Sequence, residues 1–539
     1  MRLALRRLKN EPVFGVVFSL FVACAVFLIA WPILRVIFYP SLGDYLAFPR
    51  NARFLAAFRN SLAMMALSAL TCSAVAFMFA YGIVRLKLPM KGLFRFVTLL
   101  PVVSPPFIVA LSYILLFGTQ GMVTKHILGV RLDIYGWHGL WAVQTVSFFP
   151  YAYAVIEGVM RNIPENLEHA AGNLGAGSRR IFWDVFFPLC RPGMAGGAMM
   201  AAISVLADFG NPSMIAGDFR LLPIEAYMRM VGWYDVKGAA VLSTALLVPT
   251  FGIFLFNRHW LGNATRETIT GKQSAMPPRA VPRVLKWTVF AGCLSVSLFV
   301  LVVYGVLFAG GFAKTWGHDW TPVLSNYAYV WQKRSLILNS LKFAVVSSLL
   351  AVMAGFALAW LAERGNSKTE KILDFAAVLP GAVPGIFLGL GFAIALGPAP
   401  FSLAGTSSIM ILALAIWNVP TCYNADRATL RQIGGSVERA ARNLGASSFR
   451  IILEIYAPTL KKTLLSGAML AFLRSMTCLS VVIFIHGATT TVSTVSVLSL
   501  VNGGNWSGAA ALTTTIMAVA FLGMGLFKIP ELISNRHRK

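Results

Sequence analysis

Two charged side chains lie inside stretches of this sequence that are otherwise apolar: Asp208 within LADFGNPSMIAG (206–217) and Arg474 within FLRSMTCLSVVIF (472–484). A carboxylate at such a place can hold a cation, and a guanidinium can hold an anion. An arginine near the centre of an apolar helix costs roughly 3 kcal/mol on insertion scales, so residues of this kind are kept for a reason. Subtracting 270 from 474 gives Ser204, and Asp208 follows Ser204 by four residues, which on a continuous helix is the same face. Asp208, Ser204, Arg474 and Cys478 are therefore the candidate pathway residues, projecting toward a shared cavity; a structural ion pair or backbone caps are the alternative. Tyr113 and Tyr227 could ligate a metal, yet tyrosines are ordinary at membrane interfaces, and the sequence leaves a metal site open. Arg35 and Lys342 lie near span ends, where long cationic side chains snorkel.

Other chemistries find little support. The seven histidines are scattered, so neither a histidine cluster nor paired catalytic groups appear. Six cysteines, at 24, 72, 190, 293, 422 and 478, show no CxxC spacing, which argues against a disulfide framework or a zinc site. No G-x-x-x-x-G-K-[ST] occurs: Gly271-Lys272 is followed by Gln273 and lacks the upstream glycine. The chain is thus expected to bind no nucleotide and to be no enzyme.

The elements that must position these residues are set by composition. With 57% hydrophobic and only 12% charged residues over 539 positions, the natural solvent is a bilayer. Stretches of about 20 apolar residues, enough to cross roughly 30 Å of hydrocarbon, recur twelve times. In the first half they lie near 13–39, 61–84, 96–117, 138–160, 193–214 and 239–257; in the second, near 288–309, 339–362, 372–397, 407–426, 463–487 and 509–528. The expected fold is all-α and integral to the membrane. The run after MRLALRRLKN is too long for a signal-peptide core and lacks a small-residue cleavage site, so an uncleaved first span is expected.

Basic residues give the orientation, since Lys- and Arg-rich loops stay inside. With the N-terminus inside, inner segments carry 32 Lys and Arg, outer loops 11, and the spans the remaining three. Both termini are expected in the cytoplasm. The same bias accounts for the net charge of +26 and leaves no reason to infer a nucleic-acid partner.

One sentence of residues is written twice. EHAAGNLGAGSRRIFWDVFFP (168–188) returns as ERAARNLGASSFRIILEIYAP (438–458), both ends displaced by 270 and eleven of 21 positions identical. Asn166 and Ser436 stand at an expected helix start, with Glu168 and Glu438 in the first turn, where the helix dipole favours a carboxylate. Gly175 and Gly445 can end that helix in a left-handed conformation. Ser178 and Ser448 restart a short second helix, followed by Pro188 and Pro458. Each copy is expected to be a helical hairpin at the cytoplasmic face, with Ala170, Ala171, Ala440 and Ala441 letting another backbone approach.

The halves match elsewhere: Asn60-Ser61-Leu62 and Asn339-Ser340-Leu341, like Leu100-Pro101 and Leu379-Pro380, are 279 apart. Six spans per copy make the two six-helix repeats parallel. Residues 1–257 form the first unit with its loop at 161–191, 258–286 a cytoplasmic linker, and 287–539 the second unit with its loop at 427–462.

The E-x-A-A-x-x-L-G-A…I…P pattern, matched by Glu168, Ala170, Ala171, Gly175, Glu438, Ala440, Ala441 and Gly445, resembles the cytoplasmic loop of ATP-binding cassette importer permeases, here as a fused pair. His169 and Arg439 stand where that family often has Ala. The resemblance implies that each loop is a coupling helix docking on an ATPase subunit. It further implies two such subunits that carry the ATP and Mg, and an extracytoplasmic (periplasmic or extracellular) binding protein, in a bacterial inner membrane. Leu100-Pro101 to Pro106 and the segments around Asp208 and Arg474 look like the ferric-iron branch. On that reading Asp208 would offer its carboxylate to ferric ion. Relatives of the branch carry phosphonates, sugar phosphates, thiamine or polyamines. A secondary transporter of the major facilitator kind also has twelve spans in parallel halves, but its signature loop carries an acidic residue that RLKLPMKGLFR (85–95) lacks.

Overall fold

The computed structural model describes residues 12–267, 282–364, 367–433 and 435–536. The central part of the expected linker, 268–281, and the basic N-terminal segment lie outside the described residues. Nearly everything described is helical, because a backbone in lipid must satisfy its polar groups within its own segment. A short antiparallel pair, Ala313–Thr315 with Asp319–Pro322, is the exception. It carries Trp316, whose indole N–H donates to the Leu115 carbonyl at 3.0 Å and pins one half to the other.

Nine described helices are long and apolar enough to cross a membrane, and a bent pair makes ten. The other two expected spans are the helices Trp137–Arg161 and Ala457–Thr477, 25 and 21 residues long. They are more polar because they carry the buried Gln144 and Ser147, and Lys461, Lys462 and Arg474.

The third span of each half is broken rather than continuous. The first copy is Lys91–Val103 and Ile108–Phe117, interrupted at Ser104-Pro105-Pro106, where prolines supply no N–H donors. The Leu100 carbonyl accepts both the Ser104 N–H at 3.2 Å and the Ser104 Oγ at 2.8 Å. In the second copy, Glu370–Gly381 and Gly385–Leu396 meet at 105° beside Pro384.

The fifth span also differs from expectation. Its helices, Phe187–Leu206 and Ala457–Thr477, stop short, and buried non-helical chain follows. Such backbone is tolerated at depth only where protein covers it or a cavity receives it.

The halves interlock through their first helices. Pro12–Phe38 packs against Gly385–Leu396 of the second half, where a side chain at Gly391 would press to within 2.8 Å of the Pro32 carbonyl oxygen. Arg283–Phe312 reciprocally packs against Ile108–Phe117 and Lys91–Val103 of the first half.

Candidate functional site

The duplicated hairpins fold alike. The helix Asn166–Asn173 ends in a Schellman closure: Ala176 N–H donates to the Ala171 carbonyl at 3.1 Å and Gly175 N–H to Gly172 at 3.0 Å. In Gly435–Asn443 the same bonds run from Ala446 to Ala441 at 3.1 Å and from Gly445 to Arg442 at 2.9 Å. Gly175 has φ +86° and Gly445 φ +82°, the left-handed region that favours glycine. Both glycines face open space, so geometry and not crowding requires them.

The ends of these helices depart from expectation. Asn166 and Ser436 lie within the first turns and no side chain caps the first helix; the N-cap is Glu165. The second arm is capped by Ser447 in one copy, whose Oγ accepts from Arg450 N–H at 3.2 Å, and begins at Gly177 in the other. That arm is not a separate short helix. It runs through a π-turn into the fifth span, with Pro188 and Pro458 directly after that turn.

Glu168 and Glu438 occupy the first turns as expected; Glu168 also ties its hairpin to the body, and Glu438 ties the two arms of its hairpin together. Arg85, buried at the end of the second span, lies 3.4 Å from Glu168 and 3.5 Å from Glu165, donates to the Ile163 carbonyl at 2.9 Å, and stacks 5.0 Å over Phe186. Burial pushes the Glu168 carboxyl above its usual range, and Arg85 pulls it partly back. In the second copy Glu438 accepts from Arg442 at 3.1 Å and from the Tyr456 hydroxyl at 3.1 Å. Tyr456 is the counterpart of Phe186 in the duplicated segment. Arg85, Arg442 and Tyr456 were not singled out from the sequence, although the 279 offset aligns Arg85 with Arg364.

The outward faces are apolar. Leu174 is 89% exposed and Leu444 88%, at matched positions. Leu167 and Trp183 flank the first, and Val437, Phe449 and Leu453 the second, all exposed. Ala170 and Ala440 are exposed beside them; Ala171 and Ala441 are half-buried.

The pathway candidates sit where the fifth helices end. Because the first of these stops at Leu206, Asp208 does not share a helical face with Ser204. Its positional counterpart is Cys478, the residue that caps the second. Asp208 is buried and accepts from Gln144 Nε2 at 3.1 Å, Asn211 Nδ2 at 3.0 Å and Asn211 N–H at 3.2 Å. Ser68 Oγ donates to Gln144 Oε1 at 3.1 Å and completes the network. The second half repeats the arrangement without charge: Ser347, the counterpart of Ser68 at the 279 offset, donates to Ser475 Oγ at 3.0 Å, as does Asn418 Nδ2 at 3.0 Å.

Arg474 makes no ion pair with Asp208 among the described residues. Its guanidinium lies 4.3 Å over the Trp417 ring and donates to Thr421 Oγ1 at 2.5 Å. Tyr151 is within electrostatic reach of both Arg474 and Asp208, and Tyr304 of Tyr151. Tyr304, from the interlocking helix of the second half, shares a 2.5 Å hydrogen bond with Ser104 at the break of the third span. Ser204 Oγ bonds its own helix at Met200, 2.9 Å away. Tyr227 packs between the rings of Phe209 and Phe484, and Tyr113 against Phe117. The described residues hold no group of three or more His, Cys, Asp or Glu placed to bind a metal, and the described cysteines are free.

A family profile described as binding-protein-dependent transport system inner membrane component matches residues 73–259 and again 351–531. The chain belongs to that family. Each match contains one hairpin and one fifth span, so the internal duplication is a duplication of the family unit. The ferric transport system permease protein FbpB of Actinobacillus pleuropneumoniae is 30% identical over 442 residues, covering 80% of this chain and 64% of that protein. The chain therefore spans a little under two thirds of that relative. The putative ferric transport system permease protein FbpB 1 of Haemophilus influenzae is 29% identical over 80% of this chain and 70% of its own length. The molybdenum transport system permease protein ModB of Escherichia coli is 30% identical over 38% of this chain and 93% of itself, the size of one half.

Proposed function

We propose that the chain is the permease subunit of an ATP-binding cassette importer and forms the membrane path for ferric iron handed over by an extracytoplasmic binding protein. The observation that carries this reading is the pair of matched hairpins, each presenting an almost fully exposed leucine at the same position. A monomer gains nothing from two such leucines; a docked subunit that buries them gains about 1.5–3 kcal/mol for each. One ATPase subunit docks on each hairpin, and those two subunits hold ATP and Mg and perform the hydrolysis. With both hairpins on the inner side, both termini face the cytoplasm. On the outer side, Trp233 lies 4.5 Å from each of two guanidiniums, Arg53 and Arg229, an amphipathic patch suited to a binding protein. Asp208, Ser204, Arg474 and Cys478 mark the path between the halves, with Tyr151 and Tyr304 beside them.

The cargo assignment rests on the ferric relatives together with the buried Asp208 carboxylate. A second reading has a specific support: Arg474 is a cation with no carboxylate partner among the described residues, and a putative 2-aminoethylphosphonate permease, PhnV of Salmonella typhimurium, matches 35% of this chain. An oxyanion cargo such as a phosphonate or sugar phosphate would use that charge, whereas thiamine or a polyamine would use Asp208. Uptake of radiolabelled ferric iron by cells lacking and regaining the chain, with copurification of an ATPase, tests the proposal. Equal iron uptake in both strains removes the cargo, and a chain that purifies alone after gentle extraction removes the class.

A further inference from the structure

We propose that a cleft between the helices Pro12–Phe38 and Ser367–Val378 holds one anionic phospholipid of the cytoplasmic leaflet, with its phosphodiester at Lys371 and an acyl chain along Phe375. Two cavities meet there. A polar one of about 460 Å³ is lined by Arg258, Lys371, Arg427 and Arg431 with Glu370 and Asp374. An apolar one of about 340 Å³ runs along Val26, Ile29, Ile372, Phe375 and Leu379. Lys371 lines both.

The charge balance selects the headgroup. Asp374 is bound by Arg258, Arg427 and the Tyr423 hydroxyl at 2.9 Å; Glu370 by Arg427 and Arg431; and Glu363 by Arg427 at 2.9 Å and Arg431 at 2.8 Å. Three carboxylates thus meet three guanidiniums. Lys371 is exposed and has no carboxylate partner among the described residues. One negative charge is missing, at the junction of a polar and an apolar cavity. A phosphodiester with tails supplies the charge and fills the groove, whereas a zwitterionic lipid brings its own cation and free phosphate brings no tail. Basic pockets between helices on the cytoplasmic side attract such lipids; that this end faces the cytoplasm rests on the orientation given above.

The repeat provides an internal control. The 279 offset puts Gly92 at the place of Lys371 and Phe96 at that of Phe375, and the 270 offset puts Glu157 at that of Arg427. Lys91 and Arg95 stand at the places of Glu370 and Asp374, so the first half does not repeat this arrangement of charge, and one lipid per chain is expected rather than two.

Native mass spectrometry of the full chain in detergent, titrated with phosphatidylglycerol, phosphatidylcholine of the same tails, or inorganic phosphate, tests the site. Expected are one retained phosphatidylglycerol, about fivefold weaker phosphatidylcholine and no effect of phosphate. Lys371→Gln should lower phosphatidylglycerol to the phosphatidylcholine level, Lys371→Arg should preserve it, and Ala376→Trp, at a residue that also lines the apolar cavity, should fill the groove and weaken both lipids. Equal retention of the two lipids, displacement by phosphate, two lipids per chain, or an unchanged Lys371→Gln variant would each overturn the assignment.

Discussion

Glu157 and Arg427 occupy the same position in the two halves, related by the offset that relates the hairpins, and carry opposite charges. Their partners are inverted as well. Glu157 lies 3.7 Å from Arg95, whereas Arg427 pairs with Asp374, which stands in the second half where Arg95 stands in the first. Each pair joins the start of the third span to the end of the fourth.

Arg427 is the more buried cation and serves three carboxylates. Arg427→Glu should destabilise the chain by about 3 kcal/mol, because three carboxylates would then share one arginine fewer and one acid more. Adding Asp374→Arg should restore part of the loss, not all, since Arg258 also pairs with Asp374. Thermal unfolding in detergent of the single and double variants measures this; a double variant no better than the single one would show that the charge pattern is not what joins the spans.

Gly175→Val and Gly445→Val should each cost about 1–2 kcal/mol of backbone strain, with no clash because both positions face open space. The hairpins should distort while the spans insert normally. Reconstituted vesicles should then hydrolyse ATP without proportionate uptake, and full coupling in the double variant would contradict the hairpin's role.

Leu174→Asp and Leu444→Asp should leave thermal stability unchanged, since both leucines are exposed. Affinity for the ATPase should fall about tenfold or more for each, from the lost burial of a leucine. A pull-down titration reads this directly. If only one position matters, docking is not two-fold.

Asp208→Asn keeps an acceptor oxygen for the Gln144 and Asn211 side-chain amides while setting its own NH2 against the Asn211 N–H, and should fold, with lower uptake and normal ATPase binding. Asp208→Ala leaves the Gln144 and Asn211 donors without an acceptor and should lose about 1–3 kcal/mol of stability as well. A wild-type transport rate in Asp208→Asn would make Asp208 purely structural.

Periodic apolar length and the duplicated loop made the helical class, the halves and the hairpin glycines legible in the sequence, because lipid and positive φ each admit few residue types. The breaks were less legible. Pro105-Pro106 announces one, but the stop at Leu206 depends on Asp208, Asn211 and Gln144 meeting from separate segments, and no spacing rule carries that. The loss of the expected shared face of Asp208 and Ser204 is a direct result. Arg85 was visible only as one more basic residue on the inner side; its bond to Glu168 is a tertiary fact.

The interlocked first helices have a consequence for synthesis. Pro12–Phe38 is made before its partner Gly385–Leu396, which belongs to the second half of the chain. At about 5–20 residues per second, the ribosome needs on the order of half a minute to pass from one to the other. During that interval the earlier-made segment must wait in lipid without its partner, and its exposed apolar surface, Leu20 and Phe27 among it, makes that wait tolerable.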